Sequence, residues 1–411
     1  MAEVKPFQCV RPDKKVVSQV AALPYDVYSR SEAKEAVKDR PLSFLNIDRA
    51  ETQFDDSVDT YAPCVYQKAS ELLHKWMADG TLIKEEKNCY YIYELIMNGR
   101  SQTGIVACAS IDDYVNNIIK KHENTRADKE IDRITHVDTC NAQTGPIFLA
   151  YRSQAEINAI VEGEKKKEAL YAFTSEDGVT HNVWKIEDSE KVAKIQNAFA
   201  GIEQIYIADG HHRAASAVKV GLKRRKETPG YTGKEEFNFF LSVLFPHDQL
   251  MIMDYNRTVK DLNGYSKEEF LEKIKEHFTI EELEEKESPG KKAEFTMYLE
   301  KKWYRLTAKE ELTNITDAVA SLDVSLLQDY LLGPVLGIQD PRTDKRIDFI
   351  GGIRGLEELE RRADSDMKVS FAMYPTSITE LFDVADAQKL MPPKSTWFEP
   401  KLRSGIFIHE I

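Results

Sequence analysis

No stretch of the chain comes near the roughly 18 consecutive apolar residues that a membrane-crossing helix needs, which excludes a helical membrane protein. The first fifteen residues also lack the apolar run of a secretory signal, so the expected location is the cytoplasm. Cysteine is scarce. The five residues (Cys9, Cys64, Cys89, Cys108 and Cys140) are odd in number and show no C-x-x-C spacing. This excludes a disulfide framework and a cysteine zinc site, and leaves free thiols in a reducing compartment. Positive charge is short as well. The 56 Lys and Arg against 69 Asp and Glu leave a net charge of −13, the opposite of the basic face that phosphate-backbone binding requires. The one dense basic run, Lys223-Arg224-Arg225-Lys226, reads as a solvated loop after a helix. Neither nucleic acid nor membrane is expected as a partner, and a homo-oligomer stays open.

What is present is an ordinary globular composition, 42% hydrophobic and 30% charged, without repeats or low-complexity tracts. A length of 411 residues suggests two or three domains. Tyr61, Val65, Ala69, Leu72, Leu73 and Trp76 share one helical face, closed by Asp79-Gly80. Tyr90–Ile96 and Thr103–Ala109 read as strands joined at Asn98-Gly99, a hairpin signal, and Asp177-Gly178 repeats the pattern. Ile202–Ala208 and Asn238–Phe245 read as buried strands with a helix between them that starts near Gly210 and stops at Gly221. Ser266 and Glu269 form a capping box for a helix expected to run to about Phe278, followed by a loop over Glu281–Lys292. A second hairpin (Phe295–Leu299 and Trp303–Leu306) and a helix near Val324–Leu332 follow. Hairpins mixed with strand–helix units imply an α+β fold with mixed sheets and flanking helices. The expected division is an N-terminal region 1–100, a core 101–260 and a C-terminal region 261–411.

The most informative segment is Asp209-Gly210-His211-His212-Arg213. A strand–Gly–helix turn leaves backbone N–H groups unpaired at the positive end of the helix dipole, which suits an anion. Two imidazoles and a guanidinium add donors matched to phosphate oxygens. Asp209 would repel phosphate unless a magnesium ion lay between them. The plainer alternative makes Asp209 an N-cap and the histidines surface residues. A transition-metal role for His211 and His212 is set aside, because adjacent helical residues point apart and no third ligand lies nearby in sequence.

Two further clusters carry polar chemistry. In Lys120-Lys121-His122-Glu123-Asn124-Thr125-Arg126, Glu123 can serve as general base for a hydroxyl; the alternative is a charged surface turn. In Met391–Gly405, three prolines stiffen a segment carrying Lys394, Ser395, Thr396, Lys401 and Arg403, which can clamp a small anionic or amino-acid substrate. A packed C-terminal strand with an exposed loop would also explain it. Gly351-Gly352-Ile353-Arg354-Gly355 completes no nucleotide motif and reads as a turn.

Nearly the whole chain resembles a bacterial domain-of-unknown-function family, number 1015. The resemblance rests on Leu23–Arg30, Lys120–Arg133, Ile207–Ala217, Ile347–Gly355 and Met391–Phe407. More distantly, His122-Glu123, then Ala208–Arg213, then Pro393-Lys394-Ser395-Thr396 resemble, in order, three motifs of free serine kinases of the ParB/sulfiredoxin-like superfamily. That resemblance implies a ParB/sulfiredoxin-like core with insertions, and phosphoryl transfer from ADP or ATP, with Mg²⁺, to the hydroxyl of free L-serine. It implies Glu123 as the base and Gly210, His211, His212 and Arg213 as the phosphate cradle. Asp209 would position Mg²⁺ or the reacting group, and Lys394, Ser395 and Thr396 would line the serine site. Trp397-Phe398 stands where those kinases carry Arg-His, so Arg403 or Lys401 would take over the substrate carboxylate. Glu123 and Asp209 are 86 positions apart (209 − 123), which requires an insertion looped out between them. A phosphatase acting on phosphoserine or a similar small phosphate ester, and a non-catalytic nucleotide-binding regulator of the ParB kind, are the alternatives.

Overall fold

The computed structural model describes residues 1–125 and 127–411. Arg126, the last member of the Glu123 cluster, lies outside the described residues. Packing separates two compact units, Met1–Leu250 with Pro400–Ile411, and Met251–Glu399. This differs from the three-part division expected from sequence. The boundary at residue 100 falls inside a hairpin, where a sheet cannot be cut without breaking its ladder.

In the first unit, nine strands form one mixed sheet: β1 (Val4–Lys5), β2 (Tyr90–Met97), β3 (Arg100–Ser110), β4 (Ile119–Lys120), β5 (Ile147–Tyr151), β6 (Tyr171–Thr174), β7 (Thr180–Ile186), β8 (Ile205–Asp209) and β9 (Phe239–Pro246). The spatial order is β4-β8-β5-β9-β3-β2-β7-β6, with β1 paired to β3. β8 runs parallel to β4 and antiparallel to β5, whereas β9 runs parallel to β5 and antiparallel to β3. Asn98 and Gly99 both take positive φ, as a two-residue hairpin turn requires, and set Met97 opposite Arg100.

Three helices of this unit matter for the site: α1 (Pro63–Ala78), α2 (Ala127–Cys140) and α3 (His211–Glu227). α1 buries Val65, Ala69, Leu73 and Trp76 against Phe44, Ile47 and Ile408. Tyr61, expected on that face, is exposed and precedes the helix, which starts at Pro63 because proline suits the first turn. Gly221 does not stop α3. It lies inside the helix, where a Cβ would sit 2.3 Å from the Phe237 carbonyl oxygen, so its role is a close backbone approach. The basic run at Lys223–Lys226 is accordingly the last part of α3 rather than a loop. Arg224 and Arg225 there bond Asp138 and Asp112. All five cysteines are free thiols, and only Cys64 is exposed.

The second unit holds an antiparallel sheet of β10 (Tyr255–Val259), β11 (Phe278–Leu283), β12 (Glu294–Leu299), β13 (Lys302–Ala308), β14 (Ile347–Gly351) and β15 (Val369–Met373), ordered β11-β13-β12-β15-β10-β14. The Ser266–Glu269 capping box forms, but its helix ends at Ile274. Phe278, which is buried, opens a strand that takes in the start of the expected loop. Asp323–Leu327 is helical and continues as a π turn over Gln328–Leu332. Gly351–Gly355 is a strand end followed by a 3₁₀ turn. The fold is α+β with mixed sheets. Among the described residues no helix is long and apolar enough to cross a membrane.

Candidate active site

β8 is a buried apolar strand whose pairing with β5 shifts register between Ile207 and Asp209. A bulge of this kind re-aims the end of a strand, and here it delivers Asp209 to the turn. Gly210 follows in the left-handed region at φ 92°, a conformation that side chains with a Cβ rarely adopt. A Cβ there would also lie 3.1 Å from the Arg213 guanidinium. The Ala214 N–H donates to the Gly210 carbonyl, so α3 begins at His211 with its first N–H groups at the mouth of the turn.

The parallel pairing of β4 with β8 explains how Glu123 reaches this turn. Ile119 and Lys120 lie opposite Ile205 and Tyr206, so both strands end at the same edge of the sheet. The residues just beyond them therefore meet: the His122 and His211 rings stand edge to face at 4.5 Å, and Glu123 Oε2 lies 4.0 Å from His211 Nδ1. The chain between Glu123 and Asp209 loops out through α2, β5, β6 and β7.

Charge at the site is arranged unevenly. Burial alone would raise the Asp209 pKa, but Lys401 and Arg213 outweigh it and hold the carboxyl ionised, well below its usual range. Asp209 Oδ1 accepts from the Gly210 N–H at 2.8 Å, and Oδ2 accepts from Lys401 Nζ at 3.2 Å. Arg213 donates through Nη1 to the Pro146 carbonyl at 2.5 Å, and its Nη2 stands 4.0 Å from Asp209 Oδ2. Both buried imidazoles are neutral. Burial lowers His122 to about 4 against a hydrogen bond to the Ile207 backbone, and burial together with neighbouring His122 holds His211 well below its ordinary range. Each neutral ring keeps one N–H and one lone pair, so His211 contributes a single donor rather than a charge. Its Nε2 is buried without a hydrogen-bond partner among the described residues.

Glu123, Asp209, Gly210, His211, His212 and Arg213 line one polar cavity, joined by Tyr25 and Asp26. Nothing in the sequence alone marks these last two as functional, although they lie in the Leu23–Arg30 stretch that carries the family resemblance. Two potential metal ligands distant in sequence, His122 and Glu123, also join His211 here, while His212 is not part of the group. His122, Glu123 and His211 present ligand atoms that all lie within 4.8 Å of one another.

The C-terminal residues divide. Lys394, Ser395 and Thr396 belong to the second unit, where the Lys394 carbonyl accepts from Arg257, the Ser395 hydroxyl donates to the Pro392 carbonyl, and the Ser395 carbonyl accepts from Thr376. Arg403 belongs to the first unit but does not line the Asp209 cavity. It is buried, donates to the Ser175 hydroxyl at 3.0 Å and forms an ion pair with Asp177. Lys401, two residues before it, is the cation that reaches Asp209.

A family model described as a protein of unknown function (DUF1015) matches residues 4–325. The chain belongs to that family. No curated protein matches it. Similar solved structures include SbnI with a C-terminal truncation from Staphylococcus aureus, at 12% identity and TM-score 0.40 over 74% of this chain and 87% of that one. A free serine kinase in complex with AMP is similar at 14% identity and TM-score 0.36, over 74% and 91% of the two chains. A conserved hypothetical protein from Pyrococcus furiosus is similar at 14% identity and TM-score 0.34, over 74% and 95%.

Proposed function

We propose that this DUF1015 protein is a small-molecule phosphotransferase that moves a phosphoryl group from ADP or ATP to the hydroxyl of free L-serine. The observation that carries the reading is the meeting of Glu123 with the Gly210–Arg213 turn across the parallel β4–β8 pair. An anion cradle and a carboxylate base on one cavity are the two parts phosphoryl transfer needs, because positioning and charge neutralisation supply most of its catalysis. The choice of serine and of the donor comes from the sequence resemblance.

In this reading the first N–H groups of α3 and the Arg213 guanidinium hold the nucleotide phosphates. Glu123 takes the proton from the serine hydroxyl as the new O–P bond forms. The bond from phosphorus to the leaving phosphate oxygen breaks, releasing AMP from ADP or ADP from ATP. Asp26, Glu123 and Asp209 surround the cavity with carboxylate oxygens, a donor set that fits Mg²⁺. When bound, Mg²⁺ would offset phosphate charge. Lys401 keeps Asp209 anionic for that purpose.

The test is incubation of purified full-length protein with Mg²⁺, L-serine and either ADP or ATP, followed by ³¹P NMR and mass spectrometry. Formation of O-phosphoserine with the matching nucleotide product is expected. No phosphoserine with either donor overturns the reading, and release of phosphate from added phosphoserine without the forward reaction would make the protein a phosphatase.

A further inference from the structure

The parallel β4–β8 pair gathers two imidazoles as well as a carboxylate. His122 and His211 are 2% and 6% exposed, so packing fixes their rings, while the nearly half-exposed Glu123 side chain keeps its freedom to turn. One potential ligand atom from each of the three lies within 4.8 Å of the other two.

The spacing suits a single ion. Two imidazole nitrogens about 2.1 Å from one metal, roughly at right angles, set their ring centres about 4.6 Å apart. The His122 and His211 ring centres are 4.5 Å apart, with the rings at 88° to each other. The pair is therefore already at the separation a shared ion requires. Glu123 Oε2 lies 4.0 Å from His211 Nδ1. Ligand atoms on one ion stand about 3.0–3.4 Å apart, a gap that a rotation of the exposed Glu123 side chain closes.

A second observation concerns the hydrogen-bonding of a ligand rather than its position. His122 donates one ring N–H to the Ile207 backbone. That bond fixes the tautomer and orients the lone pair of the other nitrogen, the support that metal-ligating histidines almost always have. His212 stays outside the group, because consecutive helical residues point roughly 100° apart. The His-His dipeptide thus contributes one ligand, and His122 supplies the other from a different strand. Two nitrogens and one carboxylate also select the ion. Mg²⁺ prefers oxygen and gives up its water reluctantly, whereas imidazole suits Zn²⁺ and its first-row neighbours.

We propose that His122, Glu123 and His211 form a binding site for a divalent transition ion of the Zn²⁺ or Co²⁺ type, in preference to Mg²⁺. Three protein ligands leave coordination positions open to water or to an oxygen of a bound ligand. The site stands apart from the phosphotransferase reading, and only one consequence rests on it. A carboxylate that holds the ion is withheld from a serine hydroxyl, so the two roles of Glu123 exclude one another.

Full-length protein, stripped of metal with a chelator and exchanged into Mg²⁺-containing buffer, is titrated with Co²⁺ and followed by visible absorption and calorimetry. Co²⁺ should bind with a saturating d–d spectrum, Mg²⁺ in about 100-fold excess should not remove it, and Zn²⁺ should bleach it by displacement. Losing the partner behind a ligand commonly costs about 10–100-fold in metal affinity, and losing the ligand costs at least as much. His122→Gln and Glu123→Gln should each weaken Co²⁺ at least about 10-fold, while His212→Gln leaves it within about 2-fold. Absence of saturable binding overturns the proposal, as does displacement by Mg²⁺. An affinity that neither ligand variant changes also overturns it, by placing the ion on other groups such as the exposed Cys64. If His122→Gln does not fold, Glu123→Gln decides, because that side chain is nearly half exposed. A Co²⁺ spectrum in a protein that makes no phosphoserine sustains this site and sinks the phosphotransferase reading. Phosphoserine formation with Mg²⁺ in a protein that binds no Co²⁺ does the reverse.

Discussion

Lys401 Nζ lies 3.2 Å from Asp209 Oδ2, a contact spanning 192 positions of the chain. The C-terminal segment thereby supplies the charge that lets a carboxylate stand at the mouth of the proposed anion cradle. Removing the ammonium in Lys401→Met should destabilise the protein by about 1 kcal/mol at pH 7, a modest figure because solvent partly screens the pair. The Asp209 pKa is held below its unfolded value of 3.8. The contribution is therefore fully present above that value and is lost as pH falls through the folded one. Urea denaturation should show a gap between variant and wild type at pH 7 and pH 5 that closes below about pH 4. A gap that widens in acid would contradict the assigned pairing.

Glu123 has a side chain that is nearly half exposed, so Glu123→Gln should leave the melting temperature unchanged. Phosphoserine formation should fall by about 100-fold or more, the ordinary contribution of a general base. ADP affinity measured without Mg²⁺ should stay within about 2-fold, because the cradle's N–H groups do not depend on the carboxylate. Retained turnover would remove Glu123 from the chemistry.

Gly221 invites a substitution with an inverted sign. Glycine to alanine inside a helix ordinarily stabilises by about 1 kcal/mol. Here the new Cβ would fall 2.3 Å from the Phe237 carbonyl and 2.7 Å from Ile111 Cδ1. Gly221→Ala should instead destabilise by about 1–3 kcal/mol through overpacking, read as a lowered urea midpoint with an unchanged slope.

His122 predicts a pH dependence of its own. Its folded pKa, lowered to about 4, lies below the unfolded 6.5, so between those values the unfolded chain binds the proton and the folded one does not. Its contribution is full above about pH 6.5 and declines as pH falls toward about 4. Wild type should lose more stability than His122→Gln between pH 7 and pH 5. Equal losses would show that the ring is protonated in the folded state.

The local chemistry of the turn is legible in the residues themselves. A strand, a glycine and an alanine-rich helix leave few arrangements for Asp209–Arg213, and Asn98-Gly99 and Ser266–Glu269 carry their turn and cap in two to four residues. Features that depend on distant backbone are not legible in this way. Gly221 looks like a helix stop until Phe237 is beside it. Glycine signals both a terminus and a close approach, and only the neighbour distinguishes them. The gathering of His122, Glu123 and His211 depends on a parallel strand pairing, which leaves no periodic trace across the 86 positions from Glu123 to Asp209. Arg403 looks available in sequence because its partner Asp177 lies 226 positions away.

The β4–β8 pairing has a further consequence for how the two halves of the cavity are anchored. β8 is hydrogen-bonded on both sides, while β4 is the outermost strand and is held by two residue pairs. The proposed phosphate cradle therefore hangs from the interior of the sheet and the proposed base from its thinnest margin. Local opening costs least where the ladder is shortest. Backbone amides around Ile119 and Lys120 should exchange with deuterium well before those of Ile205–Ile207, so that the carboxylate can be withdrawn from the cavity while the cradle stays assembled.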